Sequence, residues 1–585
     1  MDPFTTAGLG LGITSLTLQL LGGCIKGYEM FLRMSEMPSQ YEHLRVRMSL
    51  EQSRLLNWGE KVGLLEETLE QPSLTLQLHR NVIVDVLSEI QRLFKDCLKI
   101  QSQIERVAED RNAGLVKHAK QLTTQRSEKD SLLAEAIRAW DKTTEFPTRL
   151  QWALVKQEKF ERLVEKLINY NDAIVSLLDR TTIQQLHDMQ VQSQLTMLQL
   201  TSQVDDLHKL ALAIQVQTSD RINAPPTNQV QRAPGVSARN PYGGSSFARL
   251  ATFKAQQLAL ETDSETQGAG LIDRALLLLK GTYAARSLAV YRQDNVWVEW
   301  KDYDPDNQLL SQQGMIEQRV QKLATLLSIE DTPQEFRAPH CVGYIHDKDE
   351  DTARYGLVYS LPHSIPGSVP STLLDAIQHG AKPSLTQRIR LAHIITSSLM
   401  YLHSVNWLHK GIRSGNIVFF VPPGQKPDYD APIISGLEYA RPDLPEELTE
   451  KPSENFEYDL YRHPDALGRS DVRSKKSWDI YSLGVVLIEL AFWKSIGDIL
   501  DLHVGQRRAW SRLRKVREML LSDEFLNRVG VEAGEIYQDV VRRCIAGGML
   551  LGIPEGVDEG EPDVGAEMQR VLSELVVGKL SSMKL

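Results

Sequence analysis

The chain has 585 residues, enough for two large domains or more, and with 42% hydrophobic and 24% charged residues it excludes wholesale disorder. A net charge of -10 excludes a dedicated nucleic-acid binder, because phosphate contacts need a surplus of Lys and Arg on one face. The four cysteines, Cys24, Cys97, Cys341 and Cys544, are too far apart in sequence for a C-x-x-C metal site or a disulfide framework. No metal ligand set is expected, and a reducing intracellular compartment is the expectation.

Residues 3–25 carry no charge, a run of 23 residues. At about 1.5 Å per residue a helix of that length spans a bilayer. Its hydrophobicity is tempered by Gly8, Gly10, Gly12, Gly22 and Gly23 and by several Ser, Thr and Gln, and no basic residue precedes it as in a secretory signal. Two readings stand: an apolar helix packed in a core, and a segment that enters membranes conditionally, with Leu9, Leu11, Ile13, Leu16, Leu18 and Leu21 as its lipid contacts. Residues 39–217 read as helical. After Pro147, Trp152, Phe160, Leu163, Val164, Leu167, Ile174 and Leu178 form one stripe, the signature of bundle core. Ile183, Leu186, Met189, Leu207 and Leu210 repeat in similar style. Arg111, Lys117, His118, Lys120 and Arg126 fall in an acid-free stretch, either a solvated loop or a surface for anionic lipid headgroups.

Residues 222–247, rich in Pro, Gly and Ser, read as a linker between residues 1–221 and residues 248–575. Beyond it, residues 287–291 and 296–300 alternate like strands about a turn near Asp294 and Asn295. A helical run follows from about Gly314 to Leu327, then a strand over 355–360, and after Pro362 the chain is mainly helical. The expected fold class is multidomain: an all-α bundle, then an α+β unit with a small strand-rich lobe and a larger helical lobe.

Three spaced segments of the second half resemble a protein kinase. Residues 398–404 (SLMYLHS) look like the helix before the catalytic loop, residues 409–416 (HKGIRSGN) align with H-R-D-x-x-x-x-N, and residues 479–484 (DIYSLG) are similar to D-x-W-S-x-G. The resemblance implies a bilobal kinase-like fold in which His409, Arg413 and Asp479 are structural. It also implies losses. Gly411 stands at the base position, and Gly436, Leu437 and Glu438 replace the metal-binding D-F-G. No G-x-G-x-x-G precedes the first strands. No catalytic residue is therefore assigned and negligible turnover is expected. Lys301 resembles the phosphate-contacting strand lysine, Glu317 its helix partner and Asn416 the second metal position. No cofactor is required on this reading, and ATP without magnesium is the nucleotide these residues suit.

The N-terminal half resembles the HeLo domain of fungal prion-inhibition and propagation proteins. The likeness rests on the uncharged Gly-rich opening, residues 55–59 (LLNWG), residues 150–153 (LQWA), and Lys159, Phe160, Leu163 and Val164. It implies a bundle whose first helix is released into membranes in regulated cell death. A HeLo-type bundle joined to a degenerate kinase is similar in architecture to the mixed lineage kinase domain-like proteins of animal necroptosis. The expected function is a signalling switch: cytoplasmic at rest and at the plasma membrane when activated, with itself, membrane lipids and an upstream activator as partners. Two rivals remain: an atypical active kinase with Asp428 or Asp430 as metal ligand, and a soluble scaffold.

Overall fold

The computed structural model describes residues 3–34, 37–65, 73–108, 157–223, 244–262, 270–283, 286–303, 310–348, 353–361, 367–443, 455–467, 473–503 and 512–583. They form two compact units, residues 1–194 with 209–245 and residues 195–208 with 246–585. The lipid-headgroup candidates Arg111, Lys117, Lys120 and Arg126 lie outside the described residues, as do Trp152 and the LQWA segment.

The first unit is helical: α1 Pro3–Leu32, α2 Glu42–Lys61, α3 Leu74–Ala108, α4 Gln157–Val175, the start of α5 Arg180–Leu200, and most of α6 Val204–Asn223. The uncharged run is thus the front of a 30-residue helix that continues past Lys26 and Glu29. Leu21, Cys24, Ile25, Tyr28 and Phe31 recur at helical spacing on one face and are all 3% exposed or less. They meet Leu55 and Trp58 of α2, Leu87 and Phe94 of α3, and Phe160 and Leu163 of α4 in one core. Phe31 lies 5.5 Å from Phe94 and 5.8 Å from Phe160 between ring centres. A Cβ at Gly27 would lie 2.2 Å from the Phe94 ring, so glycine sets the approach of α1 to α3. The helical stripe read after Pro147 is core where described: Phe160, Leu163, Val164, Leu167, Ile174 and Leu178 are all buried. One polar network sits beside it. Asn171 of α4 donates to the carboxylate of Glu51 on α2 at 2.8 Å and to the Tyr28 hydroxyl of α1 at 3.4 Å, while Arg54 holds Glu51 at 2.8 Å.

The second unit opens with α7 Gly244–Thr262, which starts inside the expected linker. Strands β1 Leu277–Tyr283, β2 Arg286–Tyr291, β3 Asp294–Asp302, β4 Cys341–Lys348 and β5 Ala353–Ser360 form an antiparallel sheet in the order β1-β2-β3-β5-β4. The β2–β3 turn falls at Arg292 and Gln293, both at positive φ, with Tyr291 paired to Asp294. The turn lies just before the expected Asp294 and Asn295, and positive φ at both central positions is what a type I′ two-residue hairpin requires. α8 Leu310–Leu327 packs on β4 and β5.

After the sheet come β6 Val369–Thr372, helices α9 Leu373–His379 and α10 Leu385–Ser404, four short strands β7 Trp407–Leu408, β8 Ile417–Val421, β9 Ile433–Ile434 and β10 Arg441–Pro442, and helices α11 Phe456–Asp459 and α12 Lys476–Phe492. The remainder is helical, including α13 Ile496–Leu500, α14 Val516–Leu520, α15 Asp523–Ala533 and α16 Glu535–Ala546. Gly484 lets α12 lie against α16, where a Cβ would come within 2.8 Å of Cys544 and Ile545. Segment 195–208 belongs to this unit through a buried amine: Lys254 of α7, 1% exposed, donates to the Leu198 and Gln199 carbonyls at the end of α5 at 2.7 and 3.0 Å. Asn406 also donates to the Gln199 carbonyl at 3.3 Å, and its side-chain oxygen accepts from Lys476 at 2.7 Å.

Candidate functional site

Antiparallel pairing of β2 with β3 sets Arg286 opposite Glu299 on a buried face. Their side chains are 4% and 5% exposed and meet at 2.8 Å. The rest of the guanidinium points across to residues 415–416 and to Ser435 after β9, donating to the Gly415 carbonyl at 2.9 Å, Asn416 Oδ1 at 3.1 Å and Ser435 Oγ at 2.6 Å. The second carboxylate oxygen of Glu299 accepts from the Gly436 amide at 3.0 Å. Arg286 therefore ties strand β2 to residues 415–416 and 435 through a fully buried fork of donors.

The loop itself is held from below. Asp479 at the start of α12 accepts from the His409 amide at 2.7 Å, the Lys410 amide at 2.8 Å and His403 Nε2 at 3.4 Å. Burial alone would raise its pKa, but these donors and the neighbouring histidines hold it below the usual carboxylate range. His409 is fully enclosed, and desolvation brings its pKa down to about 4, so its ring is neutral and Nδ1 accepts from the Gly411 amide at 3.2 Å. The Arg413 guanidinium stacks on Tyr458 at 3.7 Å. These contacts brace the backbone.

Of the residues expected to meet a nucleotide, Asn416 and Lys301 are buried. Asn416, 1% exposed, donates to the Gly411 carbonyl at 2.8 Å while its oxygen accepts from Arg286. Both ends of that amide are used. Lys301 is 3% exposed; its amine donates to the Glu438 carbonyl at 3.0 Å and lies 4.8 Å over the Tyr439 ring. A Lys301–Glu317 pair is not among the ion pairs of the described residues. Gly436 is at φ +80, and a Cβ there would stand 1.9 Å from Asn416 Nδ2. At Gly411 a Cβ would meet the Gly436 carbonyl at 2.6 Å, so an aspartate does not fit without moving that strand end. Leu437 is buried core. Glu438 lines the cleft beside Lys301; burial first, then the nearby Glu299 carboxylate, raise its pKa.

Asp428 and Asp430, the replacement ligands of the atypical-kinase reading, serve an exposed turn. Asp428 accepts from the Asp430 amide, and Asp430 pairs with Arg390 at 3.0 Å. Among the described residues no group of three His, Cys, Asp or Glu is placed to hold a metal ion. The sequence reading missed Arg286 and Glu299 altogether. The available signal was a lone carboxylate in the apolar run VWVEW, paired in strand register with the arginine that opens β2.

In the first unit the candidate membrane contacts divide along α1. Leu21 is fully buried, Leu18 half-buried and Leu16 47% exposed, while the side chains of Leu9, Leu11 and Ile13 lie outside the described residues. No helix among the described residues is long and apolar enough to cross a membrane.

Comparison with known families matches two regions of the chain, whose bounds differ from those of the two units. Residues 8–210 match the HeLo family, described as prion-inhibition and propagation. Residues 349–584 match a domain of unknown function, DUF7580, which includes the loop 409–416 and residues 435–441 but not β1 to β4. No curated protein matches the chain.

Proposed function

We propose that the chain is a signalling switch in which a protein-kinase-like unit without phosphoryl-transfer machinery controls a HeLo-type bundle that acts at membranes after self-association. The HeLo match points to a cell-death or incompatibility function of the fungal type. The observation that carries the membrane reading is the division of α1. Its rear half, from Leu21 to Phe31, is clamped in the core, while its uncharged front half reaches the surface at Leu16. A helix satisfies its own backbone in hydrocarbon, and the front half carries no charge to oppose entry. The intact helix includes Lys26 and Glu29, so entry of the whole element requires an activating event that frees the rear half and self-association that shelters these charges. On the other side of the switch, both ends of the Asn416 amide are already used, which favours a controlling rather than a catalytic role for the second unit.

Leu16→Lys tests this reading, because position 16 is exposed enough to accept a lysine without disturbing the resting bundle. A charge at a bilayer centre costs about 2.5–3.5 kcal/mol on the insertion scale. The 1–222 fragment is expected to release dye from anionic liposomes, and the Leu16→Lys fragment, with unchanged circular dichroism, to release several-fold less. Equal release by the folded variant sinks the assignment of α1 as the membrane element.

A further inference from the structure

Two helices change partners partway along their length. α5 Arg180–Leu200 and α6 Val204–Asn223 belong to the first unit except where they meet, and that turn, residues 195–208, belongs to the second. On the bundle side, Leu186 of α5 lies in the same core as Leu21, Tyr28 and Phe31 of α1, Ser193 accepts from Asn57 of α2 at 3.2 Å, and Lys209 of α6 pairs with Glu42 of α2. Within the second unit, Leu195, Leu198 and Leu207 are 1% exposed or less. α5 has no basic residue in its last turn, so Lys254 of α7 meets the negative end of its dipole, taking the Leu198 and Gln199 carbonyls, and Asn406 takes the Gln199 carbonyl as well. The Gln199 side chain reaches α17 Pro562–Val571, where a Cβ at Gly565 would stand 2.6 Å from its Nε2.

This seat is closed but not optimal. Among the described residues Lys254 is a buried cation held by neutral carbonyls and no carboxylate, and the Gln199 side-chain oxygen is buried without a partner. Water relieves both defects when the turn leaves, so the contact is built to be given up. It also reaches the loop 409–416. Asn406 Oδ1 accepts from Lys476 at 2.7 Å, and its carbonyl accepts from the Asp443 amide at 2.8 Å just past β10. Lys476 stands one helical turn before Asp479, which holds the His409 and Lys410 amides. We propose that the α5–α6 turn is the latch of the switch: seated on Lys254 and Asn406 it keeps α5 and α6 against α2, and so α1 in the core, and its release is the act by which the second unit activates the bundle. The proposal rests on the switch reading above and names where that control is exerted.

Hydrogen exchange of the full chain tests it with two substitutions that loosen the seat without touching the bundle. Gly565→Leu displaces the Gln199 side chain from a helical position, and Asn406→Asp keeps the acceptor for Lys476 and tolerates φ +57 but removes the donor to Gln199. In both, amides of residues 195–208 and of Leu21–Phe31 are expected to exchange at least about tenfold faster, while β2 and β3 keep parent protection and show that the second unit is folded. Dye release from anionic liposomes by the same full-length variants should rise several-fold over the parent chain. Faster exchange at 195–208 with Leu21–Phe31 unchanged, or parent exchange at both segments in the two folded variants, overturns the latch. Faster exchange at both segments without dye release upholds the latch and counts instead against membrane action by α1.

Discussion

Arg286→Met is expected to destabilise the second unit by about 3–5 kcal/mol, the cost of leaving one half of a buried ion pair unpartnered. The loss is large because four of the guanidinium's five N–H donors are engaged. Glu299 is left without its cation at 5% side-chain exposure, the Gly415 carbonyl loses a donor, and Ser435 and Asn416 lose their shared contact to β2. Methionine fills much of the volume over Trp297 but supplies no proton. Adding Glu299→Gln removes the orphaned charge while keeping an acceptor for the Gly436 amide, so the double variant should recover part of the loss. Native-state hydrogen exchange of the β2 and β3 amides measures both changes. Protection in Arg286→Met equal to that of the parent chain contradicts the assignment of Arg286 as the tie between sheet and loop.

Phe31→Ala is the counterpart in the first unit, with an expected loss of about 3–5 kcal/mol. Phe31 is wholly buried and touches the rings of Phe94 and Phe160, so truncation opens a cavity at the junction of α1, α3 and α4. The informative readout is the pairing of stability with membrane activity. If α1 is released from the bundle to act, weakening its clamp lowers the urea midpoint and raises liposome release by the same fragment. A lower midpoint with unchanged or reduced release contradicts release of α1 as the activating step. Combined with Leu16→Lys, the gain should disappear while the instability remains, because the two residues act at opposite ends of the competition.

The bundle core was legible because its residues obey helical periodicity. The stripe from Phe160 to Leu178 is buried as its spacing predicts, and Trp58 in the LLNWG segment is 1% exposed. The sequence also marked the loop at residues 409–416 and its anchor Asp479, whose bonds to the His409 and Lys410 amides hold the loop in place. Arg286 was not legible, since an arginine opening a strand reads as solvated until the register places Glu299 opposite and Asn416 across the gap. The same holds for the cleft beside Lys301. Lys301, Arg319, Lys410 and Arg441 are separated by long stretches of chain, and only the fold converges them. The division at residue 195 was equally hidden: residues 1–221 read as one bundle, but α5 leaves the first unit before its end, where the Lys254 amine of α7 takes its last carbonyls.

That amine also makes the second unit a proton-linked structure. Desolvation lowers the pKa of Lys254 from 10.5 to about 7, with the nearby Lys476 adding to the shift, and lowers Lys476 itself from 10.5 to about 8 despite Asp443 and Glu559. Both amines are bases whose folded pKa lies below the unfolded one. From about pH 7 to 10.5 these two amines therefore hold more protons in the unfolded chain, and their contribution to stability rises with pH across that window. Below pH 7 both are protonated in either state and the slope vanishes. Melting temperature of the second unit should climb between pH 7 and about pH 9, above which the buried thiols of Cys341 and Cys544, pushed up from 9.0 to about 12, oppose the rise, and Lys254→Met should flatten the climb by up to one proton's worth while lowering the melting point at every pH. Release of α5 from Lys254 is thus expected to take up a proton, so that acid loosens the hold on residues 195–208.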